Sequence, residues 1–76
     1  MMNVRRRPVP DLQAIGRRIK SLRANTRQVA FASELQISQG QLSKIERGEV
    51  APTLDVLVLL STKFRTTIDW LIRGDA

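Results

Sequence analysis

Few residues of this chain could carry out covalent or metal chemistry. Cysteine and histidine are both missing from its 76 residues. Their absence excludes disulfides, the usual zinc fingers and Cys or His nucleophiles. The sequence has no glycine-rich phosphate loop and no cluster of residues with metal-ligand spacing. We therefore predict no catalytic residue, no metal and no cofactor, and an enzyme is not expected.

A different chemistry is available in residues 39–47, where polar side chains share one face of a short amphipathic run. Leu42 and Ile45 recur at helical spacing and give this run an apolar face to bury. Ser38 is suited to cap its start and Gly48 to end it. The other face carries groups that can reach base edges or phosphates, or no side chain at all: Gln39, Gly40, Gln41, Ser43, Lys44 and Arg47.

The run that precedes it is also amphipathic and must lie close to it. Phe31, Ala32 and Leu35 recur at helical spacing, and only about four residues separate their face from the apolar face of the second run. Two short helices joined by so tight a turn are typical of a helix-turn-helix.

These residues carry a resemblance to the Cro and cI repressor type of helix-turn-helix domain, the XRE family. The family has a small residue fifth in its twenty-residue unit and branched apolar residues fifteenth and eighteenth, here Ala32, Leu42 and Ile45. Ser43 to Gly48 (SKIERG), Pro52 and Thr66 to Asp75 (TTIDWLIRGD) also match, so the resemblance spans about Ile15 to Gly74. Two positions depart from it. Gln36 replaces the usual glycine of the turn, and Arg23 and Gln28 are five residues apart instead of seven.

The resemblance implies an all-α, compact five-helix lambda-repressor-like bundle and a sequence-specific transcriptional regulator, with repression as the expected action. The partner would be double-stranded DNA, with the helix from Gln39 to Arg47 in the major groove. A glutamine amide can bond adenine bidentately, which suits Gln39 for base reading. The predicted base-reading residues are Gln39, Gly40, Gln41 and Ser43. The predicted phosphate contacts are Gln28, Lys44, Arg47, Arg27, Arg17 and Arg18. The resemblance adds that Gln28 also braces Gln39.

The charge distribution favours a polyanionic partner. Thirteen Lys and Arg against seven Asp and Glu give a net charge of +6. Residues 1–27 contain most of these cations and only one acid, Asp11, whereas acids outnumber cations after Gly48. A basic region beside a reading helix is typical of a nucleic-acid binder, although solvated surface charge is an alternative explanation.

The sequence divides into an arm and one domain. Pro8 and Pro10 forbid a regular helix, so residues 1–10 are predicted to be a flexible basic arm and residues 11–76 the helix-turn-helix domain. Three consecutive arginines of the arm could lie along phosphates or in a minor groove: Arg5, Arg6 and Arg7.

The remaining helices follow from caps and apolar spacing. Asp11 is the predicted N-cap of the first helix, which Asn25 or Thr26 ends, and Thr26 is also a candidate cap for the second. Thr53 should cap the fourth helix, and a fifth begins after Thr66 or Thr67 and ends at Gly74. The apolar residues expected to line the core on the first and fourth helices are Leu12, Ile15, Ile19, Leu22, Leu54, Leu57, Leu60 and Phe64.

One carboxylate needs a cation. Glu46 follows Ile45 at the margin of the buried face, where an unpaired carboxylate would be costly. The resemblance supplies an arginine at the end of the first helix, and we predict an ion pair between Arg23 and Glu46.

A homodimer is expected, because one helix reads too few base pairs to select a site. Apolar residues left over after the core is filled are the predicted dimer contacts: Val56, Leu59, Trp70 and Ile72. An antitoxin-type or other interaction module that also binds DNA, with a small protein partner, is the alternative function. The absence of cysteine and of any long apolar segment gives no sign of secretion or of a membrane span, so a cytoplasmic location is expected.

Overall fold

The computed structural model describes residues 10–74, and within them the chain folds into five α-helices. They are α1 (Leu12–Arg23), α2 (Gln28–Glu34), α3 (Gln39–Glu46), α4 (Leu54–Phe64) and α5 (Ile68–Arg73). The described part has no strand, which confirms the all-α five-helix prediction. Arg5, Arg6 and Arg7 of the predicted arm lie outside the described residues, as do the last two residues of the predicted domain.

Side-chain caps define four of the five helix starts. Backbone N–H groups three residues on donate to Asp11 at 3.1 Å, Ser38 at 3.0 Å, Thr53 at 3.2 Å and Thr67 at 2.9 Å. Each cap satisfies a donor that the first turn of a helix leaves unpaired, and the predicted starts of α1, α3, α4 and α5 are thereby confirmed.

The connection between α1 and α2 differs from the prediction. Helix α1 already ends at Arg23, and Ala24 adopts a positive φ of 50° that turns the chain. The Thr26 N–H donates to the carbonyl of Arg23, and Arg27, not Thr26, occupies the N-cap position of α2. The shortened connection leaves too few residues for the longer α1 and the Thr26 cap.

Helix α3 packs against both α1 and α2, so the central core forms around it. The most completely buried large side chains come from all five helices: Phe31, Ile19, Leu42, Ile45, Leu60, Leu71 and Val56.

The prediction of which α4 residues are buried was wrong for two residues, Leu54 and Val56. Leu54 is 75% exposed, whereas Val56, predicted as a dimer contact, is 1% exposed and part of the core. Val56, Leu57 and Leu60 together form the buried face, and Leu54 lies to one side of it. A run as apolar as α4 does not reveal its rotational phase through periodicity.

The turn between α2 and α3 keeps the backbone expected of this motif although its glycine is missing. Gln36 has a φ of 61°, in the left-handed region. For a residue with a Cβ this conformation costs roughly 1–2 kcal/mol. The turn therefore carries local strain that the packing of α2 against α3 has to offset.

Among residues 10–74, none of the helices is long and apolar enough to cross a membrane.

Candidate nucleic-acid interface

The face of α3 that points away from the core carries the polar residues singled out in the sequence. Leu42 and Ile45 are buried beneath it. On the outer side Gln39, Gly40, Lys44 and Arg47 are exposed, and Gln41 and Ser43 are half-buried. The helix thus presents amide, hydroxyl and basic groups to the surroundings over its whole length.

An almost completely buried ion pair fixes the end of α3 to the end of α1. The Nε of Arg23 donates to Oε2 of Glu46 at 2.7 Å and its Nη2 donates to Oε1 at 3.0 Å, a bidentate arrangement. The side chains of Arg23 and Glu46 are only 14% and 4% exposed. The hydrogen bond to Glu46 raises the pKa of Arg23 above its ordinary value, although burial acts in the opposite direction. The Nη1 of Arg23 also donates to the carbonyl of Thr26 at 2.8 Å, which orders the turn before α2.

Hydrogen bonds continue from this ion pair to the outer face of α3. The Nε2 of Gln28, at the start of α2, donates to Oε1 of Glu46 at 2.9 Å. The Nε2 of Gln39, at the start of α3, donates to Oε1 of Gln28 at 3.3 Å. The structure therefore brings Gln28 and Gln39 together and joins both to the buried carboxylate. We call Glu46, Gln28 and Gln39 the amide relay.

A glycine allows α3 to approach α1 closely. A Cβ built on Gly16 would lie 2.5 Å from the main-chain carbonyl oxygens of Ile45 and Glu46, nearer than van der Waals contact permits. Gly16 was not among the sequence-predicted residues. Its signal was a lone glycine inside an amphipathic helix, which often marks a close backbone approach.

The predicted phosphate contacts have different surroundings. Arg27, Lys44 and Arg17 are exposed. Arg47 is exposed as well, but its Nε donates to Oε2 of Glu49 at 2.6 Å, and its Nη1 is in contact with Ser43 Oγ. This arrangement lowers the pKa of Glu49, chiefly through the hydrogen bond from Arg47.

Arg18, one of the predicted phosphate contacts, is half-buried and forms hydrogen bonds within the fold. Its Nη1 donates to the carbonyl oxygens of Leu71 and Ile72, both at 3.0 Å, in the last turn of α5. The cation thus satisfies carbonyl groups that the end of a helix leaves unpaired. Gly74, with a φ of 79°, lies so close to the guanidinium that a Cβ would be 2.5 Å from its Nη2.

Three of the four predicted dimer contacts remain on the surface. Leu59, Trp70 and Ile72 are half-buried at the edge of the core, whereas Val56 belongs to it, as described above.

The five-helix bundle, with α2 and α3 braced across a tight turn and a polar outer face on α3, defines the class of helix-turn-helix proteins. Residues 19–71 match the family model described as helix-turn-helix. The chain is 32% identical to the P22 c2 repressor in a crystal structure of its complex with the synthetic operator 9T in the presence of Tl⁺. That match covers 83% of this chain and 98% of the other, with a TM-score of 0.74.

The solution structure of the DNA-binding domain of the P22 c2 repressor is also similar. It is 32% identical over 84% of this chain and 87% of that domain, with a TM-score of 0.70. No curated protein matches the chain. The chain belongs to the Cro and cI repressor type of helix-turn-helix proteins, the XRE family. This family and this fold are those of DNA-binding transcription regulators and not of enzymes.

Proposed function

We propose that this protein is a sequence-specific transcriptional repressor that inserts α3 into the major groove of double-stranded DNA. The observation that carries the proposal is the contrast between the two sides of α3. Its inner side is fixed to α1 by the ion pair of Arg23 and Glu46, and its outer side presents a row of exposed polar groups. A rigidly held helix with free hydrogen-bonding groups is suited to read base edges.

Base reading would begin at Gln39. Recognition helices of this motif contact base edges with residues near their N-terminus, and Gln39 is the first residue of α3. Its amide can bond N6 and N7 of adenine together. Gln41 and Ser43 would add contacts further along the helix.

Gly40 fits a close approach of DNA to α3. A Cβ at this position would meet nothing in the protein nearer than Oγ of Ser38 at 4.0 Å. The fold therefore does not require a glycine here, unlike at Gly16. Because Gly40 has no side chain next to Gln39, the base edges of the major groove can come close to α3 at this point.

Phosphate contacts would position the helix without selecting sequence. Gln28, Arg27, Lys44, Arg47 and Arg17 are the residues we assign to this role, and the net charge of +6 favours it. The basic arm, residues 1–10, which precedes the domain of residues 11–76 in the sequence, would add contacts through Arg5, Arg6 and Arg7.

Similarity to the P22 c2 repressor supports the proposal, since that protein is bound to a synthetic operator in the crystal structure. We further propose that two copies bind one operator, with half-sites about one helical turn, or roughly 34 Å, apart. Leu59, Trp70 and Ile72 are the candidate contacts between the copies.

The test is selection of bound sites from a pool of random duplexes. We expect enrichment of a two-fold symmetric motif with an A·T pair in each half-site that depends on Gln39. The variant Gln39→Ala should lose about 1–3 kcal/mol of discrimination at that base pair and leave the rest of the motif unchanged. The matched control is Gln13→Ala, which removes an exposed glutamine from α1 and should select the wild-type motif. A pool that shows no enrichment would refute the proposal.

A further inference from the structure

The hydrogen bonds behind Gln39 have a direction, and we infer that Glu46 is a positioning residue that sets which way the Gln39 amide faces the DNA. This inference rests on the proposed role of α3 in base reading. It assigns to the buried carboxylate a function beyond stabilising the fold, which is to transmit its hydrogen-bond polarity through Gln28 to the outer face of α3.

The direction of these hydrogen bonds is set first by the Glu46 carboxylate, which can only accept. An ionised carboxylate has no proton to donate, so every partner of Glu46 must approach it with an N–H group. With only 4% of its side chain exposed, Glu46 has little water to supply those donors. Arg23 provides donors to both oxygens, and Gln28 Nε2 provides a further one to Oε1 at 2.9 Å. The amino side of the Gln28 amide is therefore held towards Glu46.

The orientation of Gln28 determines that of Gln39. With one N–H of its amino group donated to Glu46, the Gln28 amide turns its Oε1 towards the neighbouring amide of Gln39. Gln39 meets this oxygen with Nε2 at 3.3 Å, since its own carbonyl would face Oε1 with like partial charge. Gln39 then retains its Oε1 and one N–H, which are the acceptor and the donor that N6 and N7 of adenine require. The relay thus holds the amide ready for an A·T pair before DNA arrives.

The substitution Glu46→Gln would remove the fixed direction of the hydrogen bonds in the relay. Its amide could donate or accept, so Gln28 and Gln39 could each adopt either orientation. Ordering a side chain on binding costs about 0.5–1.5 kcal/mol, which corresponds to roughly a 2- to 10-fold loss of affinity for the adenine-containing site. Binding to non-specific DNA does not need a particular amide orientation and should not change.

The experiment compares Glu46→Gln with Arg23→Gln. Both variants break the ion pair, but only Arg23→Gln leaves a carboxylate to accept from Gln28. Affinities are measured at pH 8, below both melting temperatures, for duplexes with A·T or G·C at the base pair identified by Gln39→Ala. We expect Glu46→Gln to lower the preference for A·T by about 2- to 10-fold. We expect Arg23→Gln to lose stability and to keep the preference.

A third variant removes the middle of the relay. Gln28→Met leaves the ion pair of Arg23 and Glu46 intact and should lower the preference for A·T as Glu46→Gln does. In a Gln28→Met background, adding Glu46→Gln should have no further effect on the preference. If Glu46→Gln does not fold, the comparison of Gln28→Met with the wild type takes its place.

Three results would overturn the inference. They are an unchanged preference in Glu46→Gln, an equal loss of preference in Arg23→Gln, and an unchanged preference in Gln28→Met. Failure of the proposed function gives a different result, because the wild-type protein would then show no base preference at any position.

Discussion

Gly16 of α1 lies directly against the main-chain carbonyl of Glu46 in α3, so close that a Cβ would stand 2.5 Å from the oxygen. We expect Gly16→Ala to force the helices apart and to lower the free energy of unfolding by about 1–3 kcal/mol or more. Denaturant unfolding would measure the change. The control is Gly40→Ala, also within a helix but in open space, which should raise stability by roughly 0.5–1 kcal/mol. Changes of the same sign in both variants would contradict the close contact.

The second prediction concerns the ion pair of Arg23 and Glu46. Removing one partner leaves the other charge largely buried, so we expect Arg23→Ala or Glu46→Gln to lower the free energy of unfolding by up to about 3–5 kcal/mol, the cost for a completely buried pair. The control is Arg73→Ala, because Arg73 pairs with Asp69 at 3.4 Å and both side chains are more than half exposed. Loss of that pair should cost less than about 1 kcal/mol. Equal effects of the two pairs on urea midpoints would refute a structural role for Glu46.

The third prediction separates two neighbouring arginines. Arg18 donates two hydrogen bonds to the last turn of α5, so Arg18→Ala should cost about 1–3 kcal/mol of stability and leave the salt dependence of DNA binding unchanged. Arg17 is exposed, and Arg17→Ala should leave stability unchanged. It should make the slope of the logarithm of the DNA-binding constant K against log salt shallower by about 0.9, the value for one lost phosphate contact. Thermal unfolding gives the stability of each variant, and salt titrations of DNA binding give the slope for each. The reverse pattern would show that Arg18 contacts phosphate after all.

The fourth prediction is that Glu49 restrains Arg47. Like any glutamate, Glu49 is ionised at neutral pH, and the hydrogen bond from Arg47 lowers its pKa further, so the pair with the guanidinium persists to more acidic pH. The contribution of this pair is present above the ordinary pKa of a glutamate and is lost as the pH falls through the lowered pKa.

At neutral pH, Glu49→Gln should therefore release Arg47 and raise the affinity for DNA. The slope of log K against log salt should become steeper by up to about 0.9, because Glu49 no longer competes with a phosphate for Arg47. Asp69→Asn, which frees Arg73 on α5 instead, is the control and should leave the slope unchanged. An unchanged slope in Glu49→Gln would show that Arg47 binds phosphate equally well in the wild type or not at all.

The fifth prediction concerns assembly. Because Leu59, Trp70 and Ile72 already lie partly in the core, the dimer contact they offer is small and we expect two copies to associate mainly on a palindromic site. Sedimentation at micromolar concentration, with and without that DNA, would measure it. Leu59→Lys should weaken cooperative binding of the second copy, whereas Val29→Lys, at a site 62% exposed on α2, should not. Independent binding of one wild-type copy per half-site would refute the dimer.

The sequence by itself determined α3 and its N-cap. The spacing of Leu42 and Ile45, the cap Ser38 and the polar residues between them are local features, and helix formation with a buried face depends on little else. The pairing of Arg23 with Glu46 was also predicted, because the resemblance named the partner that a carboxylate at the edge of the core requires. Whether the turn keeps its left-handed backbone without the usual glycine did not follow from the sequence, and the structure shows that Gln36 adopts it with a φ of 61°.

Only the tertiary structure decided which side of α4 is buried and what Arg18 does. The apolar run of α4 allows several rotational phases, and contacts with the other helices select the one that buries Val56 and exposes Leu54. Arg18 meets carbonyl groups more than fifty residues away, which exist as a site only once α5 has packed beside α1. The contact from Gln28 to Glu46 likewise requires α2 and α3 to be in place. Local sequence patterns report the free energy of a single helix, whereas these contacts depend on how the helices pack against one another.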